Sequence, residues 1–231
     1  MVSLAGRYSR QIGLAEIGEV GQKKISEARV LLVGVGGLGS PISLYLTGAG
    51  IGTLGIIDND VVSETNLHRQ VLYNENELGL PKTSVAARKL KALNRDTTIV
   101  PYAERLTEEN ADDIISHYDM VIDGCDNYST RYLIDEVTNR QHKPYIYGAV
   151  SGFYGQVSIF NAGIPSYRYV ELFPEMPEPP KDKSIVAMTP AIVGSTLAHE
   201  ALKLICGYGE PLIGKLWTID LLTMESTTIS F

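Results

Sequence analysis

Four groups of residues have types and spacings that could do chemistry. Glycines 34, 36, 37 and 39 close an apolar run, 28–33. Asp58 and Asp60 close a second apolar run about 20 residues further on. Asn66, Arg69, Gln70 and Lys82 come next, and Asp126 and Asn127 end the stretch Asp123-Gly-Cys-Asp-Asn127. Glycines let a backbone approach a phosphate, and a helix N-terminus behind them offers free N–H groups and partial positive charge. An acid at the end of a second strand suits ribose hydroxyls, because a carboxylate accepts two hydrogen bonds. Two cations near the same sheet edge exceed what a dinucleotide needs and suit a triphosphate. A carboxylate beside a triphosphate, here Asp126, suits Mg²⁺. Each feature alone has a plainer reading. The glycines could make a tight turn, Arg69 or Lys82 could be surface charge, and Asp126 or Asn127 could cap the next helix.

The rest of the chain must position these groups. Residues 1–27 read as helix and turns. Strands are predicted at 28–33, 53–57, 98–102, 119–123 and 144–147. Helices are predicted at 38–50, 82–93, 108–117 and 130–141. Strands alternating with helices imply a parallel sheet. After residue 150 the rhythm breaks. An exposed or antiparallel strand is predicted at 155–160. Residues 161–188 hold Pro165, Pro174, Pro177, Pro179 and Pro180 and read as a long surface crossover. Thr189-Pro190 starts a helix to 205, which Gly207 ends. Its small residues Gly194, Ser195 and Ala198 suit close packing, in the core or against another subunit. A hairpin over 216–219 and 226–231 closes the chain. The expectation is a single α/β domain over 1–231, Rossmann-like. Its mostly parallel sheet is flanked by helices, with antiparallel strands at the C-terminal side. Residues 1–27 form an N-terminal arm, 28–150 the nucleotide-binding core, and 151–231 the crossover with the late helix and hairpin.

The net charge of -7 argues against a general nucleic-acid binder. No signal pattern and no apolar run near 20 residues is present, so no membrane span is expected and the protein is expected in the cytoplasm. The two cysteines, Cys125 and Cys206, form no Cys-x-x-Cys pair and build no cysteine zinc site. Neither a Ser–His nor a Cys–His arrangement stands out.

As a set, Arg7-Tyr-Ser-Arg-Gln11, Gly34-Val-Gly-Gly-Leu-Gly39, Asp58-Asn-Asp60, Asn66-Leu-His-Arg-Gln70, Pro81-Lys82 and Asp123-Gly-Cys-Asp-Asn127 resemble the ThiF/MoeB/HesA family, bacterial relatives of ubiquitin-activating enzymes. The resemblance runs to about Gly207. It implies an adenylyltransferase that uses ATP and Mg²⁺. The substrate would be the C-terminal Gly-Gly carboxylate of a small β-grasp sulfur carrier, ThiS- or MoaD-like, in thiamin or molybdopterin biosynthesis. It implies that Gly37 and Asp58 hold the nucleotide and that Asn66, Arg69 and Lys82 contact phosphates and ribose. Asp126 would hold Mg²⁺, and Arg10 would reach the phosphates of the neighbouring subunit in a homodimer. Residues 151–231 would dock the carrier.

The sequence departs from the family in two places. Typical members carry two Cys-x-x-Cys pairs for one structural zinc. Here Ser166 and Tyr169 stand at the first pair, and the sequence reaches Phe231 without the second. No zinc is expected, and Tyr167, Tyr169 and Phe173 are expected to pack there. Many members also carry a crossover cysteine. Asp182 stands at that place with Ser184 nearby, so the expected product is the acyl-adenylate, with sulfur transfer left to another protein. Competing readings are a nicotinamide oxidoreductase, adenylation of a peptide or transfer RNA, and a non-catalytic scaffold.

Overall fold

The computed structural model describes residues 4–175 and 183–231. Helices α1 (Leu4–Arg7), α2 (Ser9–Ile12) and α3 (Gly18–Glu27) form the arm. The core continues as β1 (Arg29–Val33), α4 (Gly39–Ala49), β2 (Thr53–Ile57), α5 (Lys82–Leu93), β3 (Thr98–Tyr102), α6 (Ala111–Ser116), β4 (Met120–Asp123), α7 (Tyr128–Arg140) and β5 (Tyr145–Ser151). Then come β6 (Tyr154–Phe160), α8 (Tyr169–Leu172), α9 (Met188–Cys206), β7 (Lys215–Asp220) and β8 (Glu225–Ser230).

The described strands form one eight-stranded sheet in the order β3-β2-β1-β4-β5-β6-β7-β8. From β3 through β5 the pairs are parallel, and β6, β7 and β8 are antiparallel. This is the predicted sheet. The strands β1 and β2 are continuous apolar runs because helices cover both faces of a parallel sheet. On one face α3, α4, α5 and α9 pack over Leu32, Leu54, Ile56 and Ile122, and on the other α6, α7 and α8 pack over Leu31, Val33 and Val121. No described helix is long and apolar enough to cross a membrane.

The order reversal beside β1 opens a crevice at the C-terminal strand ends, where open α/β sheets bind ligands. Close packing there depends on small residues. A Cβ at Gly194 would come within 2.6 Å of the Leu38 carbonyl oxygen, so glycine lets α9 cross the start of α4. Ala198 of the same helix is also buried. These two residues therefore serve packing inside the chain, the core alternative of the two predicted.

The predicted surface crossover is partly corrected. Its first part turns inward: Tyr169 is fully buried, and its backbone N–H donates to the buried Asp135 carboxylate at 2.8 Å. Its ring lies 5.0 Å from Phe173 and 5.1 Å from Tyr147. Tyr167 packs edge-on against Phe231 at 5.3 Å. The three aromatic residues expected to pack here do so, in a cluster that joins the crossover to the end of β8. Pro177, Pro179, Pro180 and Asp182 lie outside the described residues.

Candidate active site

A cavity of about 670 Å³ lies along the C-terminal ends of β1, β2 and β4. That volume falls in the range of ordinary small-molecule sites. Its lining includes Gly34, Gly36, Gly37, Asp58, Asp60, Asn66, Arg69, Gln70, Lys82, Asp126 and Asn127, so nearly all the predicted residues share one site.

The turn after β1 is shaped by its glycines. Gly34 has φ +92°, in the left-handed region, and a Cβ there would stand 2.5 Å from the Gly124 carbonyl oxygen. Asp58 braces the turn: one carboxylate oxygen accepts from Val35 N–H and the other from Asp60 N–H, both at 2.8 Å. Gly39 does not line the cavity. It starts α4 behind the turn, where a Cβ would strike the Gly34 carbonyl oxygen. The spacing of a glycine fingerprint does not say which glycine faces the ligand.

Lys82 opens α5 and is 3% exposed, yet its ammonium reaches the cavity and pairs with Asp60 at 3.0 Å. An ammonium so placed, with a single carboxylate that is itself mostly in solvent, is available to a phosphate. Arg69 lines the cavity beside Gly37 and donates to the Thr65 carbonyl at 3.1 Å. Gln70 is buried at the wall, and its Oε1 has no hydrogen-bond partner. A buried amide oxygen in that state is costly unless a ligand or water supplies a donor.

Asn127 caps α7, its side chain accepting from Thr130 N–H at 2.9 Å. The cap therefore belongs to Asn127, and the Asp126 carboxylate, 81% exposed, faces solvent at the cavity mouth. Desolvation pushes that carboxyl up, and the Lys183 ammonium more than offsets it, leaving it below the usual carboxylate range. Among the described residues no group of three His, Cys, Asp or Glu gathers to hold a metal.

Three features escaped the sequence reading. At the floor, Arg131 of α7 lines the cavity and pairs with the buried Asp123 at the end of β4. Its spacing, eight residues past a strand-terminal acid on the next helix, was the available signal. Gly124 mirrors Gly34 across the two turns. Lys183 lines the mouth and had no sequence signal. The Cys125 thiol also lines the cavity, but it donates to Asp123, and burial, then the Asp123 charge, raises its pKa well above the usual thiol value. Cys206 is buried far from the site, against the Gly21 carbonyl. Arg10 is exposed on α2 and is not part of this cavity.

The ThiF family matches residues 8–231. The chain belongs to the ThiF family. It is 42% identical over 227 residues to the sulfur carrier protein adenylyltransferase of Thermus thermophilus, covering 94% of this chain and 83% of that protein. It is 40% identical over 232 residues to the probable adenylyltransferase/sulfurtransferase MoeZ of Mycobacterium tuberculosis. There the match covers 97% of this chain but 59% of MoeZ, so this ThiF chain spans about three fifths of that relative. The fold matches the crystal structure of E. coli MccB with a TM-score of 0.83 at 23% identity, over 98% of this chain and 70% of MccB. At that identity the likeness concerns the fold.

Proposed function

We propose that this chain transfers AMP from ATP to the C-terminal Gly-Gly carboxylate of a small β-grasp sulfur carrier, ThiS- or MoaD-like, and releases pyrophosphate. The setting would be thiamin or molybdopterin biosynthesis in the cytoplasm. One observation carries the reading. The cavity brings a glycine turn, Lys82 and Arg69 together in its lining and turns Asp126 to solvent at its mouth, while no histidine among the described residues lines it and its Cys125 thiol is held protonated.

The chemistry matches this inventory. A C-terminal carboxylate is ionised at neutral pH, so no general base is required. One of its oxygens attacks the α-phosphorus. The bond from that phosphorus to the bridging oxygen breaks, and pyrophosphate leaves with the electron pair. The obstacle is repulsion between two anions, about 4 kcal/mol per unit pair at 4 Å in a partly solvated site. Cations fixed in advance lower it, because they are aimed where charge meets and need no reorganisation during reaction. Arg69 and Lys82 are those cations.

The site fits both ATP and a divalent cation. Gly34, Gly36 and Gly37 line the cavity, the Asp58 carboxylate lines it at the end of β2, where it would meet a ribose, and Gln70 Oε1 lacks a donor. Asn66 and Asn127 line the same space. Asp126, not engaged as a cap, would hold Mg²⁺, which when bound withdraws charge from the phosphate oxygens. Arg10, exposed on the arm, would complete the phosphate site of a neighbouring subunit in a two-fold homodimer.

The test mixes the protein with MgATP and a panel of Gly-Gly-ended carriers and reads an AMP adduct by intact mass. An adduct on one carrier, lost in Asp126→Ala, is the expected result. ATP binding with no adduct on any carrier would move the assignment to a peptide or transfer RNA substrate, or to a scaffold.

A further inference from the structure

The crossover segment returns to the described structure at Lys183, and residues 183–185 form one wall of the cavity mouth. The segment is anchored just beyond. Ile185 bridges Gly152, Val186 N–H donates to the Gly152 carbonyl at 3.4 Å, and Thr189 Oγ1 donates to the same oxygen at 2.8 Å. Lys183 thus hangs two residues before a fixed point, and its ammonium donates to Asp126 Oδ2 at 3.1 Å. Both side chains are largely in water, 70% and 81% exposed.

We propose that Lys183 is the exchangeable counter-ion of Asp126, holding the carboxylate while no nucleotide is bound and giving way to the divalent cation. The proposal rests on the adenylation reading above. An ammonium on Oδ2 and a divalent cation on the same carboxylate would gather three positive charges at one anion, so the two compete. The cation needs oxygen ligands at about 2.0–2.1 Å in strict octahedral geometry, which an ammonium hydrogen-bonded to the same group obstructs. The pair is also weak enough to yield, since exposed ion pairs shift equilibria by about fivefold at most. Without nucleotide, Lys183 keeps the Asp126 charge matched and ties the end of the crossover to the mouth. With the metal nucleotide in place, that tie is released and the Gly152 anchor remains.

The test is a Mn²⁺ titration in the presence of a non-hydrolysable ATP analogue, with free Mn²⁺ read by electron paramagnetic resonance. Lys183→Met is expected to tighten the midpoint by about two- to fivefold. Lys183→Arg should restore it, and Lys183→Met should change nothing in an Asp126→Asn background. An unchanged or weaker midpoint in Lys183→Met would overturn the proposal. If Asp126→Asn leaves Mn²⁺ binding intact, both the counter-ion role and the metal role of Asp126 fall, while the AMP adduct on a carrier still tests the adenylation reading separately.

Discussion

Arg131 and Asp123 form a buried ion pair at the cavity floor, which Arg131 lines, with Arg131 Nε donating to Asp123 Oδ2 at 2.8 Å and side chains 8% and 0% exposed. The guanidinium also donates to the carbonyls of Cys125 at 3.1 Å and Gly148 at 3.2 Å and lies 5.3 Å over the Tyr147 ring. Asp123 accepts from Cys125 N–H at 2.9 Å and from the Tyr145 hydroxyl at 3.2 Å. The pair therefore ties the turn that presents Asp126 to β5. Arg131→Met leaves a buried carboxylate without its counter-ion, a loss of about 3–5 kcal/mol. For a chain of this size, thermal denaturation should show Tm lower by roughly 6–20 °C. The double variant Asp123→Asn/Arg131→Met should recover part of it. A Tm for Arg131→Met equal to wild type would show that the pair contributes nothing.

The glycines of the two facing turns predict a contrast within one residue type. Gly34 and Gly124 oppose each other, and a Cβ on either would sit within 2.5 Å of the other's carbonyl oxygen. Gly34→Ala must also hold φ near +92°. It should destabilise by more than about 1 kcal/mol and weaken ATP binding at least tenfold. Gly48 is exposed inside α4, a Cβ added there would meet nothing within 4 Å, and its φ is not positive. Gly48→Ala should stabilise by about 0.4–1 kcal/mol and leave ATP binding unchanged. Chemical denaturation with a nucleotide-binding assay distinguishes the two.

The core was readable in the sequence where burial on both faces leaves an unbroken apolar run. Strand β2, buried at every position, has the predicted bounds for that reason. The half-exposed edge strand β3 and the one-sided helix α5 also have the predicted bounds, set instead by alternation of type and by helical spacing of apolar residues. The site was readable because its residues stand at strand ends or helix starts, places that topology brings together. What the sequence hid depends on contacts between distant segments. Tyr169 lies among prolines and charges with no periodicity, and its burial follows from Asp135 and Tyr147, which precede it in the chain by more than a helix. Arg131 reads as one more surface cation of α7 until β4 and β5 are seen to close over it. Lys183 reaches Asp126 only because the crossover doubles back on the mouth.

Glu77 supplies a pH dependence with a definite sign. It is buried, accepts from Asn74 N–H at 3.0 Å, and pairs with Arg88 at 2.6 Å and Lys89 at 2.7 Å. Burial pushes its carboxyl up; the Lys89 hydrogen bond, the Asn74 N–H and the two cations outweigh that and hold it below the usual range. A depressed folded value means the contribution is complete above the unfolded value of about 4.3 and fades as pH falls through the folded one. Glu77→Gln should therefore melt below wild type at pH 7, and the gap should close in acid. Melting curves across pH 7 to 3 check this, and a gap independent of pH would show that the charge of Glu77 is not what stabilises.

The position of Arg10 leads to the most specific test of assembly. It is exposed on α2 and lies outside its own chain's cavity, whereas Lys82 lines that cavity and is buried there. If a two-fold dimer is the working unit, each site needs Lys82 from one chain and Arg10 from the other. Arg10→Ala and Lys82→Ala should then each lose AMP transfer by about 10²-fold or more, the scale for removing one group that stabilises developing charge. Unfolding and refolding an equal mixture of the two would form half mixed dimers. In each mixed dimer one site carries both mutations and the other neither, so activity should return to about a quarter of wild type. No recovery, with mixed dimers confirmed by native mass spectrometry, would place Arg10 in service of its own chain's site.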